Sequence, residues 1–292
     1  MLGMSFGRCA AAAVILVAMA PAALADSVDG SDEGFVASWL DMVSRTQAEQ
    51  PHWMTPLVTV TPRLEQEFRY DVNVERLPSG ATLDNFGNGK GIEIIPSENT
   101  EVILGLPPYE DRTQAGRTPA VAAFGDWPAL LVKYRILSAN EESGNYILTA
   151  FVQTGIPTGA TAYTTNAYVV QPTIAFGMGW DDFDIQATLS EQNPVGTNRA
   201  EDNFGHPILV NAAAQYHLWD VFWPEFETNY TYYPDGSKAG KSQVFLTPGV
   251  IFGRFPIADR VKLIVGVGYQ FDVSPRMPAY DNNWVLTLRT TF

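Results

Sequence analysis

Cysteine is all but missing from this chain of 292 residues: the single one, Cys9, stands just ahead of an apolar run from Ala10 to Ala20. With Arg8 before that run and Ala23-Leu24-Ala25 after it, residues 1–25 read as a secretory signal peptide cleaved before Asp26. A lipoprotein anchor does not fit, because the cysteine precedes the apolar core instead of following it. The mature chain then has no thiol, which excludes disulfides, thiolate nucleophiles and cysteine-held metals. Long hydrophobic runs are also missing. Beyond the signal no stretch approaches the ~20 apolar residues of a spanning helix, so any passage through a membrane needs a closed sheet. Basic residues are scarce. Of 18 Lys and Arg one is Arg8, leaving 17 against 32 Asp and Glu, a mature net charge of −15. That balance argues against nucleic acid as a partner.

Histidine is scarce too, with His52, His206 and His217 the only three. None stands in an H-x-S arrangement, and His217, expected to face inward beside Gln215, has no evident serine partner. The chain is therefore not expected to be an enzyme. There is no H-x-x-x-H and no D-x-D-x-D-G loop, so neither a metal site nor a cofactor is expected. Glu110-Asp111 and Glu201-Asp202 read as solvated loop acids, and the glycines from Gly87 to Gly91 as a bulged hairpin, not a phosphate loop.

What is present is alternation. The final residues place Trp284, Leu286, Leu288, Thr290 and Phe292 on one face and Asn283, Val285, Thr287, Arg289 and Thr291 on the other. Such segments recur near 60–74, 86–95, 100–106, 126–137, 146–156 and 167–179, and again near 183–190, 207–219, 225–233, 243–254, 261–272 and 282–292. Short turns alternate with long links throughout. Barrels of the outer membrane do this because one rim carries turns and the other carries loops. The expected fold is a twelve-stranded antiparallel transmembrane β-barrel over residues 58–292, with both termini on the periplasmic side. Trp127, Tyr146, Trp180, Trp219, Trp223 and Trp284, near strand ends, are expected at the membrane interfaces. Residues 26–57 are expected to hold a short periplasmic helix, capped at Ser31 or Asp32, lying on the rim; folding back into the lumen as a plug is the alternative.

Alternation can be read with either face inside; the signal segment, the terminal Phe and the aromatics near strand ends favour the apolar face outward, which turns the charge inward. Arg63, Glu65, Glu67, Arg69 and Asp71 come from the first strand, Lys133 and Arg135 from the fourth, and Glu225 and Glu227 from the ninth. Lys262 comes from the eleventh and Arg289 from the last, which closure sets beside the first. Twelve strands spaced ~4.8 Å apart and tilted ~40° give a backbone diameter of roughly 25 Å and a passage of about 10 Å. These charged rows are expected to line a pore, with an internal salt-bridge network as the alternative. Trp284, Leu286, Leu288 and the terminal Phe292 have the form of the signal read by the barrel assembly machinery.

The run WMTPLVTVTPRLEQEFRYD, residues 53–71, with Pro157-Thr158-Gly159 and the terminal Phe, resembles an outer-membrane family of putative transporters labelled as proteins of the meta-pathway of phenol degradation. The resemblance implies a twelve-stranded barrel that takes up small, often aromatic, compounds, and it transfers no functional residues. The expected function is passive uptake of small solutes across the outer membrane, in contact with lipid and lipopolysaccharide. The alternative is a plugged structural or surface-binding barrel acting through loops 107–125 and 191–206.

Overall fold

The computed structural model describes residues 30–88, 91–196, 204–274 and 280–292. The signal segment with Cys9, the side chains of Ser31 and Asp32, Gly89-Lys90 and Glu201-Asp202 lie outside the described residues. The chain divides into two compact units, Met1–Met42 and Val43–Phe292. Helix α1 (Gly30–Ala48) supplies the described residues of the first, 30–42, and its last residues are counted in the second. Arg45 in the last turn suits the negative end of the helix dipole. Pro51 forbids continuation, since the residue before a proline is pushed out of the helical region.

The second unit is a closed antiparallel barrel of twelve staves. Stave one is β1 (Glu67–Arg76). Stave two is β2 (Thr82–Phe86) with β3 (Gly91–Ser97), both paired to β1. Stave three is β4 (Thr100–Leu104) with β5 (Tyr109–Arg112), and stave four β6 (Val121–Phe124) with β7 (Trp127–Ala139). β8 (Tyr146–Ile156) and β9 (Tyr168–Trp180) follow, then β10 (Phe183–Glu191) with β11 (Asn193–Val195) as stave seven. β12 (Ile208–Tyr216), β13 (Phe222–Tyr233), β14 (Lys241–Pro256) and β15 (Lys262–Asp272) lead to β16 (Asn282–Thr291). β16 pairs with β1 from Glu67↔Thr291 to Arg76↔Asn282, and this seals the wall. No edge is left to expose unpaired backbone to hydrocarbon.

The pleat sorts the side chains as a membrane requires. On β9 Ile174 is 50 % exposed outside while its neighbours Thr173 and Ala175, at 5 % and 0 %, point inside. On β16 Trp284 and Leu286 are exposed, whereas Thr287 and Arg289 are buried. Apolar residues face lipid and ionised ones face the interior, which makes this a barrel of the outer membrane. Aromatic pairs mark the rims. Trp180 stacks on Phe183 and Trp219 on Phe222 at the short-turn end, while Trp284 packs on Tyr269 and Tyr109 on Phe124 toward the long loops. Asp181, Trp219 and Asp220 adopt the left-handed conformation (φ 50°, 51° and 61°) that such tight turns demand.

Two expectations need correction. The first strand begins at Glu67, not near residue 60. Trp223 is not an interfacial ring but sits inside the barrel at 2 % exposure, because it shares the inward face of β13 with Glu225 and Glu227. Arginine placed on the lipid face costs about 2–4 kcal/mol near the midplane. Ile174→Arg is therefore expected to destabilise the folded barrel by about that amount, measured by urea unfolding in lipid vesicles.

Candidate functional site in the barrel lumen

Residues 50–66 form no regular structure, and nearly all are buried within the second unit. They thread the lumen as an insert. Pro51, Pro56 and Pro62 remove three backbone donors from a place water reaches poorly, and hold the chain extended. The other backbone groups need partners, and the inward charges supply them.

Glu227 accepts the Val58 and Thr59 N–H groups at 2.7 and 2.6 Å, and Glu225 accepts the Leu57 N–H at 3.1 Å. Arg289 donates to the carbonyls of Thr55 and Pro56, and Arg69 to those of Pro56 and Leu57. Lys133 Nζ donates to Arg63 O at 2.7 Å and to Glu101 Oε2 at 2.9 Å, and Glu101 accepts the Glu65 N–H at 2.7 Å. Gln186 Nε2 holds Met54 O at 2.9 Å, and Thr149 Oγ1 holds Pro62 O at 2.6 Å. Within the insert, the Gln50 side chain closes a loop by bonding both backbone groups of Leu64 at 2.8 and 2.9 Å. Each of these is a charge-assisted or buried hydrogen bond, and leaving one such group unpaired costs about 1–3 kcal/mol.

Shape matches chemistry. Leu57 rests on a patch of three glycines from β14 and β15: a Cβ at Gly249, Gly266 or Gly268 would come within 2.5, 2.8 and 2.7 Å of its methyl groups. Gly249 and Gly268 are cross-strand partners. Trp53 lies against Gly177 and Gly179 of β9, where a Cβ would meet its ring at 2.4 and 2.6 Å. Met54, Leu57, Trp223, Ile251, Ile264 and Val285 make one apolar cluster around this seat. Val60 packs on a second, of Ile103, Leu131, Phe151 and Ala175.

The short-turn rim ties the start of the insert. Arg135 donates to Thr46 O and Glu98 O, both at 2.8 Å, and Ser138 Oγ to Glu49 O at 2.9 Å. Arg254 sits at an irregularity in the β14–β15 pairing with φ 60°, the left-handed region. Its guanidinium donates to the carbonyls of His52 and Trp53 and lies 5.6 Å over the Trp223 ring, on which His217 stacks at 4.5 Å. His52 pairs with Glu141 at 2.8 Å in the β7–β8 turn. Burial there would raise the Glu141 carboxyl, but hydrogen bonds from the His52 N–H and ring hold it below its ordinary value.

The charged residues expected to line a pore thus fall into three groups. Glu67, Arg69, Asp71, Lys133, Arg135, Glu225, Glu227 and Arg289 are wall residues that point inward and are buried. Arg63 and Glu65 are on the insert, not on a wall strand, and pair with each other at 3.0 Å. Lys262 is exposed at the start of β15, beside the short turns, and does not reach the interior. Arg69 and Asp71 also pair, at 2.7 Å. Sequence reasoning missed Glu101, Gln186, Arg254 and the glycine seats. The glycines did leave a signal, since two inward glycines in a row on one strand, Gly266 with Gly268 and Gly177 with Gly179, call for something large opposite.

The closed wall, apolar exterior and charged interior define an outer-membrane β-barrel with its own N-terminal segment inserted in the lumen. No protein-family description matches the chain, and no curated protein does. Solved structures similar to it include the KdgM porin, at 10 % identity and TM-score 0.45, over 77 % of this chain and 99 % of that one. An outer-membrane channel from Pseudomonas putida F1 matches at 13 % identity and TM-score 0.49, over 77 % and 92 %. The NanC porin matches at 10 % and 0.46, over 76 % and 98 %. At these values the likeness carries no argument about solute or mechanism, and the phenol-degradation label gains no support.

Two outcomes test the seat and the rim. Gly268→Val should unseat the insert and destabilise the barrel by about 1–3 kcal/mol, read as a lower heat-modification temperature on electrophoresis, with Leu57→Ala restoring part of the loss. For Glu141 the folded-state titration is depressed, so its contribution is present at neutral pH and lost as the pH falls through that depressed value. Glu141→Gln should release the His52 amide to hydrogen exchange at neutral pH, as acid does in the parent.

Proposed function

We propose that the protein is an outer-membrane channel for passive passage of small solutes, with residues 50–66 setting the size of what crosses. The observation that carries this reading is a cavity of about 330 Å³ on the loop side of the insert, bounded by Leu57, Val58 and Val60 below and by wall residues such as Asn73, Gln153 and Gln270 around it. A second depression of about 410 Å³, lined by Glu49, Asn99 and Arg135, lies at the short-turn rim. The insert stands between them, so passage requires it to shift. Its polar ties favour that: water can replace a hydrogen bond to a carboxylate or guanidinium, and most of the insert's hold is of this kind.

The alternative is a plugged barrel that acts through its outer loops. The glycine seat under Leu57 favours it, because complementarity of that sort resists displacement. An aromatic solute is the finer expectation, and it rests on the resemblance of residues 53–71, which form the insert and the start of β1. Liposome swelling separates these readings. The channel reading expects swelling with small sugars or phenol and a several-fold increase when residues 50–64 are replaced by a Gly-Ser linker of equal length. A parent and a linker variant that are both impermeable would sink it. The terminal strand is proposed to guide assembly into lipid and lipopolysaccharide through the barrel assembly machinery. Trp284 and Leu286 face outward, and the Phe292 N–H bonds Gln66 O at 3.1 Å. Phe292→Ala should lower the amount of folded barrel in outer-membrane fractions without changing secretion of the chain.

A further inference from the structure

Charge is distributed unevenly along the lumen. Toward the short turns many inward side chains are ionisable and bound to the insert. Toward the loops most are neutral, with Glu75 an exception at the cavity. A chain of side-chain hydrogen bonds runs around the wall there: Asn211 donates to Thr188 at 3.2 Å, Asn229 to Asn211 at 3.1 Å, and Gln270 to Asn229 at 2.9 Å. Asn283 carries it on to Asn73 at 3.3 Å. On the other side Gln171 donates to Ser190 at 3.2 Å and pairs across the β8–β9 ladder with Gln153. Amides and hydroxyls therefore occupy the inward face of most staves at this level.

Resting on the channel reading above, we infer that the cavity beside this belt binds a small, uncharged, hydroxyl-rich solute of about the size of a single sugar ring. Its volume of about 330 Å³ lies at the small end of the ~300–1,000 Å³ usual for small-molecule sites. Amide side chains donate and accept at once, as hydroxyl groups do, so each amide can serve a solute hydroxyl in either direction. Asn283, 4 % exposed, has an Oδ1 with no hydrogen-bond partner although its Nδ2 is engaged. That atom is closed off from the cavity, but Asn283 lines it together with Gln270 and Asn73, which sets three amides on one side. The floor of the cavity is apolar, from Leu57, Val58 and Val60 of the insert, while on the wall Ile103 and Leu131 stand among the amides, Leu131 directly across from Gln153. A pyranose ring has the same division, a C–H face and a rim of hydroxyls.

Anionic and aromatic solutes fit less well. Arg69 and Asp71 reach the cavity floor, but they pair with each other, and Arg69 is also tied to insert carbonyls. An anionic solute would shed water without gaining a free counter-charge. Glu75 at the lining adds repulsion for it. A phenol would cover the apolar side and leave the amides short of partners, and a site built to hydrogen-bond penalises a ligand that cannot.

The test is calorimetric titration of the purified full-length barrel in detergent with glucose, glucuronate and phenol. Saturable binding of glucose is expected, at least tenfold tighter than either of the other two. Asn283→Leu and Gln270→Leu should each weaken it tenfold or more in protein that keeps heat-modifiable migration. Gln153→Leu, on the far wall, should weaken it as well and covers the case in which the first two fail to fold. Glucuronate or phenol binding as tightly as glucose would overturn the inference, as would no saturable binding of glucose. Glucose affinity unaffected by the substitutions would do the same. Because binding needs no conduction, glucose bound by a barrel that is impermeable in liposomes would fail the channel reading alone.

Discussion

An irregular peptide segment inside a barrel brings amide and carbonyl groups into a space where water is scarce, and every one of them must be met. In this protein the wall meets them with ionisable side chains: Glu225 and Glu227 receive N–H groups of the insert, while Arg69, Lys133 and Arg289 bind its carbonyls. The dependence runs both ways. Without the insert these charges would sit in the lumen needing water, and without the charges the insert would be too costly to bury. The result is a mutual neutralisation of backbone dipoles and side-chain charges, and the arrangement of the interior follows from it.

Steric fit refines this pairing. Prolines lower the number of donors to be satisfied, and glycines on β9, β14 and β15 open recesses that the side chains of Trp53 and Leu57 fill. Arg254 adds a backbone conformation that non-glycine residues rarely adopt, at an irregularity in the strand pairing. Residues held this way cost of order 1–3 kcal/mol and persist where surrounding structure demands them. Here the demand is a guanidinium on the His52 and Trp53 carbonyls, at the point where the chain turns into the barrel. The ionisable side chains committed to the insert thereby lie toward the short turns, and mostly neutral ones toward the loops.

Much of the fold was legible in the sequence. Strict alternation in residues 282–292 placed Arg289 inside and Leu286 outside, and the alternation of short and long links gave the number of staves and the order of the rims. Parity also contained the answer for Trp223: two residues before Glu225, it had to share the inward face, and its aromatic character misled. The interior was only partly legible. Glu67, Arg69, Asp71, Lys133, Arg135, Glu225, Glu227 and Arg289 are buried on the wall, whereas Arg63 and Glu65 belong to the insert, although alternation continues through residues 60–66 as if β1 began there. In that stretch the alternating pattern reflects groups reaching two sides of the lumen, not two faces of a sheet.

The amino-acid order by itself determined which residues share a face of each strand, because a pleated strand has a period of two. It also determined closure, since an open edge cannot exist in a membrane. What occupies the interior was decided only by the tertiary structure. Whether inward charges surround water, one another or a peptide depends on which groups the closed wall brings within hydrogen-bonding distance. Glu227 and Val58 are 169 residues apart in the chain and 2.7 Å apart in the barrel, a proximity that no local pattern encodes.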